Sequence, residues 1–167
     1  MKNEAFTCRR MIPEDAGSYR LIRLQALTDD PAAFGATLEE EQRNNEEVFR
    51  QRLSRLPIFG AFVEDQIVGM VGLYQDEQVR LSHKSVLWGF FVRQENRSFG
   101  IGARLLGMAL AEAESRSQQV TLAVSIASAS AIALYERNGF ERYGIEPRAI
   151  KGPDGYLDEV LMVRFRA

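Results

Sequence analysis

Cysteine and histidine are nearly missing: Cys8 and His83 are the single examples of each in 167 residues. A lone cysteine forbids an intrachain disulfide, and a lone histidine leaves no ligand set for a His-based zinc site. A serine-histidine-aspartate triad would have to rest on His83, and no G-x-S-x-G elbow accompanies it. Neither sign of charge dominates. With a formal net charge of -2, the field of the whole molecule does not favour a nucleic-acid backbone or an anionic membrane, and neither partner is expected. No run of ~18 apolar residues occurs, and the opening MKNEAFTCRRM lacks the roughly 7–15-residue apolar stretch of an export signal. The expectation is a cytoplasmic protein that needs no metal.

What is present is ordinary globular material, 46% hydrophobic and 26% charged, in an amount suited to one domain, expected over residues 5–167. AFTCRRMI (5–12) reads as a strand ending at Pro13. PEDAGSYRLIRLQAL then brings Ala16, Tyr19, Ile22 and Ala26 to one helix face. After the loop DDPAAFG, the polar segment 38–56 predicts a second helix with Val48, Phe49, Leu53 and Leu56 on one side, stopped by Pro57. IFGAFVED and IVGMVGLYQ, joined through Asp65-Gln66, predict a hairpin, and SVLWGFFV (85–92) a third strand of an antiparallel meander. A broad apolar stripe over 100–116 predicts a helix packed on the sheet. VTLAVSI (120–126) predicts a strand, and SASAIALYERNG (128–139) a helix closed by Gly139. Two strands around KGPDG end the chain. Strand, helix and strand about Gly100 imply a parallel crossover, so the fold class is α/β.

The junction ENRSFGIGARLL (95–106) places Gly100 and Gly102 behind Arg97 where a strand meets a helix. The first N–H groups of a helix lack intrahelical partners and sit at the positive end of its dipole, so such a corner suits an anion. A P-loop would require Lys-Ser or Lys-Thr after the second glycine. A Rossmann fingerprint would require a small residue at Leu105 and an acid after the next strand, which ends in Ser125 and Ile126.

RSFGIG resembles the [QR]-x-x-G-x-[GA] pyrophosphate loop of the GNAT superfamily of N-acetyltransferases, and AIALYERNGF (131–140) resembles the A-x-x-L-Y-x-x-x-G-F segment that ends the same superfamily's core. The element order from Ala5 to Phe165 resembles it too. The resemblance implies a mixed, mostly antiparallel sheet with splayed central parallel strands and helices on both faces. It implies transfer of an acetyl group from acetyl-coenzyme A to a primary amine by direct attack in a ternary complex.

Residue by residue, the resemblance implies pyrophosphate contacts from the backbone of Ser98, Phe99, Gly100, Ile101, Gly102 and Ala103, with charge from Arg97 and Arg104. Phe91 and Val92 would pair with the pantetheine arm. Gly89 would mark a bulge that turns an N–H toward the thioester. Tyr135 takes the position of the acid that protonates the thiolate. Ser128 stands where the family often has Asn, and would cap its helix or touch the cofactor. The strand acid that serves some members as general base is absent, since Ser85, Val86 and Leu87 stand there. Glu77, Glu159 or a water chain would have to replace it, because an amine of pKa ~10 is less than about 1% neutral near pH 7.5. Acids between Glu39 and Glu47 border the acceptor side, and Phe34 and Trp88 are candidate pocket walls. The acceptor is a small-molecule or peptide amine, and a homodimer is compatible with the family. The rival reading is a coenzyme A-binding sensor that has lost transfer.

Overall fold

A 3-10 turn at Pro13 separates the first strand, β1 (Phe6–Arg10), from the first helix, α1 (Ala16–Asp29), in the computed structural model, which describes residues 5–166. Residue 167, the end of the expected domain, lies outside the described residues. The polar segment expected as one helix over 38–56 is two, α2 (Leu38–Gln42) and α3 (Glu46–Arg55). Local capping divides it. Thr37 and Glu40 bond reciprocally at the start of α2, and the Asn45 side chain accepts the Val48 N–H at 3.3 Å to begin α3. Arg20 of α1 donates to the Asn44 carbonyl between them.

β2 (Ile58–Val63) and β3 (Gln66–Gln75) form the expected hairpin, but its turn residues are Glu64 and Asp65, both left-handed at φ 46° and 67°. A two-residue turn of this hand matches the twist of the flanking strands. β4 (Lys84–Val92), α4 (Ile101–Glu114), β5 (Gln119–Ser125), α5 (Ala129–Arg137), β6 (Glu141–Gly152) and β7 (Gly155–Phe165) complete the chain. The sheet runs β1-β2-β3-β4-β5-β7-β6, with β4–β5 its parallel pair and every other neighbour antiparallel.

Helices cover both faces because the strands are apolar on both. On one face α4 and α5 bury Leu105, Leu106, Ala109, Ile132 and Tyr135 against Val71, Leu87, Leu122, Val160 and Met162. On the other, α1 and α3 bury Tyr19, Ile22, Phe49 and Leu53 against Ile58, Phe62, Met70 and Phe91. The short turn Pro31–Ala33 after α1 reaches across this second face to lie against β5. Among the described residues no helix is long and apolar enough to cross a membrane.

Two irregularities position the site. β4 and β5 pair only at Lys84–Gln119, Ser85–Val120 and Val86–Thr121, although both strands continue, to Val92 and Ser125. From Leu87 onward the two strands fork. At the closed end of the fork the Ser85 hydroxyl, fully buried, donates to Ser117 Oγ at 2.9 Å, which donates to the Ala113 carbonyl at the end of α4. β4 also carries an extra residue: Trp88 faces Gly72 and Phe91 faces Met70, so three steps oppose two. The surplus falls at Gly89, whose φ of +64° is left-handed. This is the glycine bulge the strand's sequence suggests.

Candidate active site

At the open mouth of the fork the chain leaves β4 and turns into α4. Gly100 caps the helix at φ +83° and Ser98 takes φ +71°, so the backbone winds in a left-handed sense where a side chain costs strain. The N–H groups of Ser98, Phe99, Gly100, Ile101, Gly102 and Ala103 find no acceptor among the described residues. The first bond of the helix is Arg104 N–H to the Gly100 carbonyl at 3.0 Å. Six consecutive donors at a helix N-terminus match the charge and reach of a pyrophosphate. Ser98, Phe99, Gly100 and Ala103 are exposed, whereas the Ile101 side chain is buried in the core and offers only its backbone.

Arg97 is exposed and its Nε donates to the Val92 carbonyl at 2.9 Å, with the guanidinium 5.9 Å from the Phe91 ring centroid. One edge of the fork tip is thus tied to the loop, and the remaining guanidinium N–H groups stay available. Pairing of a pantetheine amide at Val92 would use the second lone pair of that carbonyl. Gly102 has a separate steric reason: a Cβ there would come within 3.3 Å of Phe90 and 3.6 Å of Leu134.

Tyr135 stands on the α4–α5 face, its ring 5.9 Å from Phe90 and 5.7 Å from Phe140. Burial pushes its hydroxyl well above the ordinary tyrosine range, and the hydroxyl makes no hydrogen bond among the described residues. Ser128 opens α5, but its side chain does not accept a capping N–H, because its backbone (φ -87°, ψ 62°) departs from cap geometry. Its helix-capping expectation is therefore corrected, and the hydroxyl is left for other partners.

The two candidate bases lie in different surroundings. Glu77 is exposed on the loop after β3, at the closed end of the fork and away from the pyrophosphate corner. Glu159 of β7 is flanked by Ser125 of β5 and Glu146 of β6. Since Val160 and Met162 face α4, alternation turns Glu159 to the opposite face, the one covered by α1. Burial, with the neighbouring Glu146 carboxylate adding to it, raises its pKa. Tyr135 and Glu159 thus belong to opposite faces of the sheet.

On the α1 side, a cavity of about 620 Å³ lies over the paired end of the fork, with Lys84, Val86, Gln119, Thr121, Tyr74 and Phe165 among its lining residues. Farther along the fork is a buried ionic group that sequence reading misses. Glu41 accepts Arg52 Nη1 at 2.9 and 3.0 Å, Arg23 Nε at 3.1 Å and Asn44 Nδ2 at 3.1 Å. Burial alone would raise the Glu41 pKa, but hydrogen bonds from Arg52, Asn44 and Arg23 outweigh it and hold the carboxyl below the usual range. Arg23 lies 5.1 Å from the Phe34 ring and 5.9 Å from the Trp88 ring. The available signal was an arginine at position 23 inside the apolar stripe Tyr19, Ile22, Ala26. Of the other acids of the segment, Glu40 caps α2 and Glu46 and Glu47 pair with Arg50, while Glu39 is exposed.

Comparison with known proteins accords with this geometry. The family model described as acetyltransferase (GNAT) family matches residues 21–140. Curated proteins give no match. Among solved structures, a GNAT-family acetyltransferase from Streptococcus pneumoniae superposes with a TM-score of 0.87 at 20% identity, covering 98% of this chain and 100% of that one. A ribosomal-protein-alanine N-acetyltransferase from Brucella melitensis gives 0.79 at 22% identity, over 96% and 99% of the two chains. The protein yncA from Salmonella typhimurium, solved with its cofactor acetyl-CoA, gives 0.81 at 17% identity over 96% and 94%.

Proposed function

The chain belongs to the GNAT acetyltransferase family, whose model spans residues 21–140, and from that premise we propose that it transfers an acetyl group from acetyl-coenzyme A directly to a primary amine. The observation that carries this reading is the forked sheet with six unsatisfied N–H groups at its mouth. The loop 97–103 binds the pyrophosphate, and the unpaired edge of β4 near Phe91 and Val92 receives the pantetheine amides as an added strand would. The Gly89 bulge directs backbone toward the thioester carbonyl, where an N–H stabilises the oxyanion as it forms.

The amine approaches from the α1 face of the fork, and the thiolate departs on the Tyr135 face. The amine nitrogen bonds to the carbonyl carbon, the carbon–sulfur bond breaks, and the nitrogen's surplus proton must leave. Glu159 takes it on the acceptor side, where its raised pKa makes it a better base than an ordinary carboxylate. Tyr135 donates a hydrogen bond to the sulfur. Glu77, exposed on a loop, is the weaker candidate.

Thiol release from acetyl-coenzyme A in the presence of a panel of amines tests the reading. Turnover is expected with at least one amine, and a variant carrying Arg97→Glu and Gly100→Asp is expected to raise the acetyl-coenzyme A KM at least tenfold. Tight coenzyme binding without turnover on any amine identifies a sensor instead.

A further inference from the structure

Arg23 is the member of the ionic group with a buried donor left unpartnered. Its side chain is 7% exposed, its Nε is taken by Glu41, and its Nη1 is buried with no hydrogen-bond partner. The direction of Nη1 is given by Gly89. A Cβ placed on that glycine would meet Arg23 Nη1 at 4.0 Å and nothing else beyond its chain neighbours within that distance. A second orphan, the buried Nε1 of Trp88, lies on the β3 side, where a Cβ on Gly72 would meet it at 2.9 Å. One unpartnered cationic donor therefore stands beside the bulge where the fork begins.

Charge makes the same demand. Arg23 and Arg52 share one carboxylate, Glu41, so the cluster holds one positive charge in excess. An uncompensated buried cation is costly and is ordinarily neutralised by a hydrogen-bonded anion. A guanidinium with a free N–H fits a carboxylate oxygen. Phe34, 8% exposed, follows the turn that spans from α1 to β5 and lies against the guanidinium.

We propose that the acceptor is a small amino acid, its carboxylate received by Arg23 Nη1 and its amine presented to the thioester at Gly89. The closeness of Nη1 to Gly89 requires a short spacing between amine and carboxylate, as in an α-amino acid, and excludes amines on long carboxylate-free chains as the preferred substrates. This assignment rests on the acetyltransferase reading and narrows it.

The test compares α-amino acids with their amides and with the corresponding decarboxylated amines, using the full chain and acetyl-coenzyme A. At least one free amino acid is expected to exceed its amide and its amine by about 100-fold in kcat/KM. Arg23→Gln should erase that preference, lowering kcat/KM for the amino acid about 100-fold and for the amine less than about 3-fold, with acetyl-coenzyme A affinity unchanged. Arg23→Lys, which keeps the charge but not the fork of donors, should show a smaller loss confined to the amino acid. Equal turnover of acid, amide and amine overturns the proposal and leaves the acetyltransferase reading standing. So does a preference for peptides with free N-termini and amidated C-termini. If no amine turns over, the transferase reading fails, and the carboxylate site is judged by melting temperature in the presence of coenzyme A. Amino acids that stabilise the wild type but not Arg23→Gln support the site, and no stabilisation overturns it.

Discussion

In the proposed reaction, full proton transfer from Tyr135 to the departing thiolate would run uphill. Burial holds its hydroxyl above the ordinary tyrosine value of 10, while a thiol titrates near ~8.5. Its proposed contribution is a hydrogen bond to charge as it develops. Tyr135→Phe is accordingly expected to reduce kcat about 10- to 100-fold and leave acetyl-coenzyme A affinity unchanged in steady-state kinetics. The melting temperature should hold or rise, because the lost hydroxyl bonds nothing among the described residues. Glu159 has the opposite character. Its folded-state pKa lies above the ordinary 4.5, so its stabilising contribution is complete below that value and is lost as pH rises through the raised one. Glu159→Gln should therefore melt higher than the wild type at pH 7 and equal to it below about pH 4. The same substitution should lower kcat and remove the acid limb of its pH profile. An unchanged profile transfers the base role to water or Glu77.

At the scale of elements, the bulge in β4 was visible as a lone Gly89 among Trp88, Phe90 and Phe91, since glycine in a bulky strand has few other reasons to be there. The division of 38–56 was less visible. Its apolar periodicity continues through the break, and only the caps at Thr37 and Asn45 betray it. The function of that break is to swing α2 so that Glu41 meets Arg23 of α1 and Arg52 of α3. No sequence rule yields this three-element contact, because it depends on tertiary distances between residues up to 29 positions apart. Removing Glu41 leaves two guanidinium groups with no acid between them. Glu41→Ala is expected to cost about 3–5 kcal/mol in chemical denaturation, a fall in melting temperature on the order of 10 °C.

For the molecule as a whole, two short motifs separated by about 30 residues sufficed to indicate the fold, since RSFGIG opens α4 and AIALYERNGF runs through α5 to the start of β6. The proposed acceptor side left no comparable trace, because it draws on α1, the turn after it, β4 and β7. A ligand that binds only the folded state at 100 times its dissociation constant stabilises by about 2.7 kcal/mol. Acetyl-coenzyme A should thus raise the melting temperature by roughly 5–10 °C in a thermal-shift measurement. The gain should vanish with the Arg97→Glu and Gly100→Asp changes.

Three residue pairs join β1–β4 to β5–β7 within the sheet. That makes the sheet two panels joined by a short seam, bridged by the Ser85–Ser117 hydroxyl chain and by α4 laid across both. Amides on the unpaired edge of β4 would exchange with solvent as though they lay at the border of a smaller protein. The proposed coenzyme would lie along that open seam as the thread that sews the panels together.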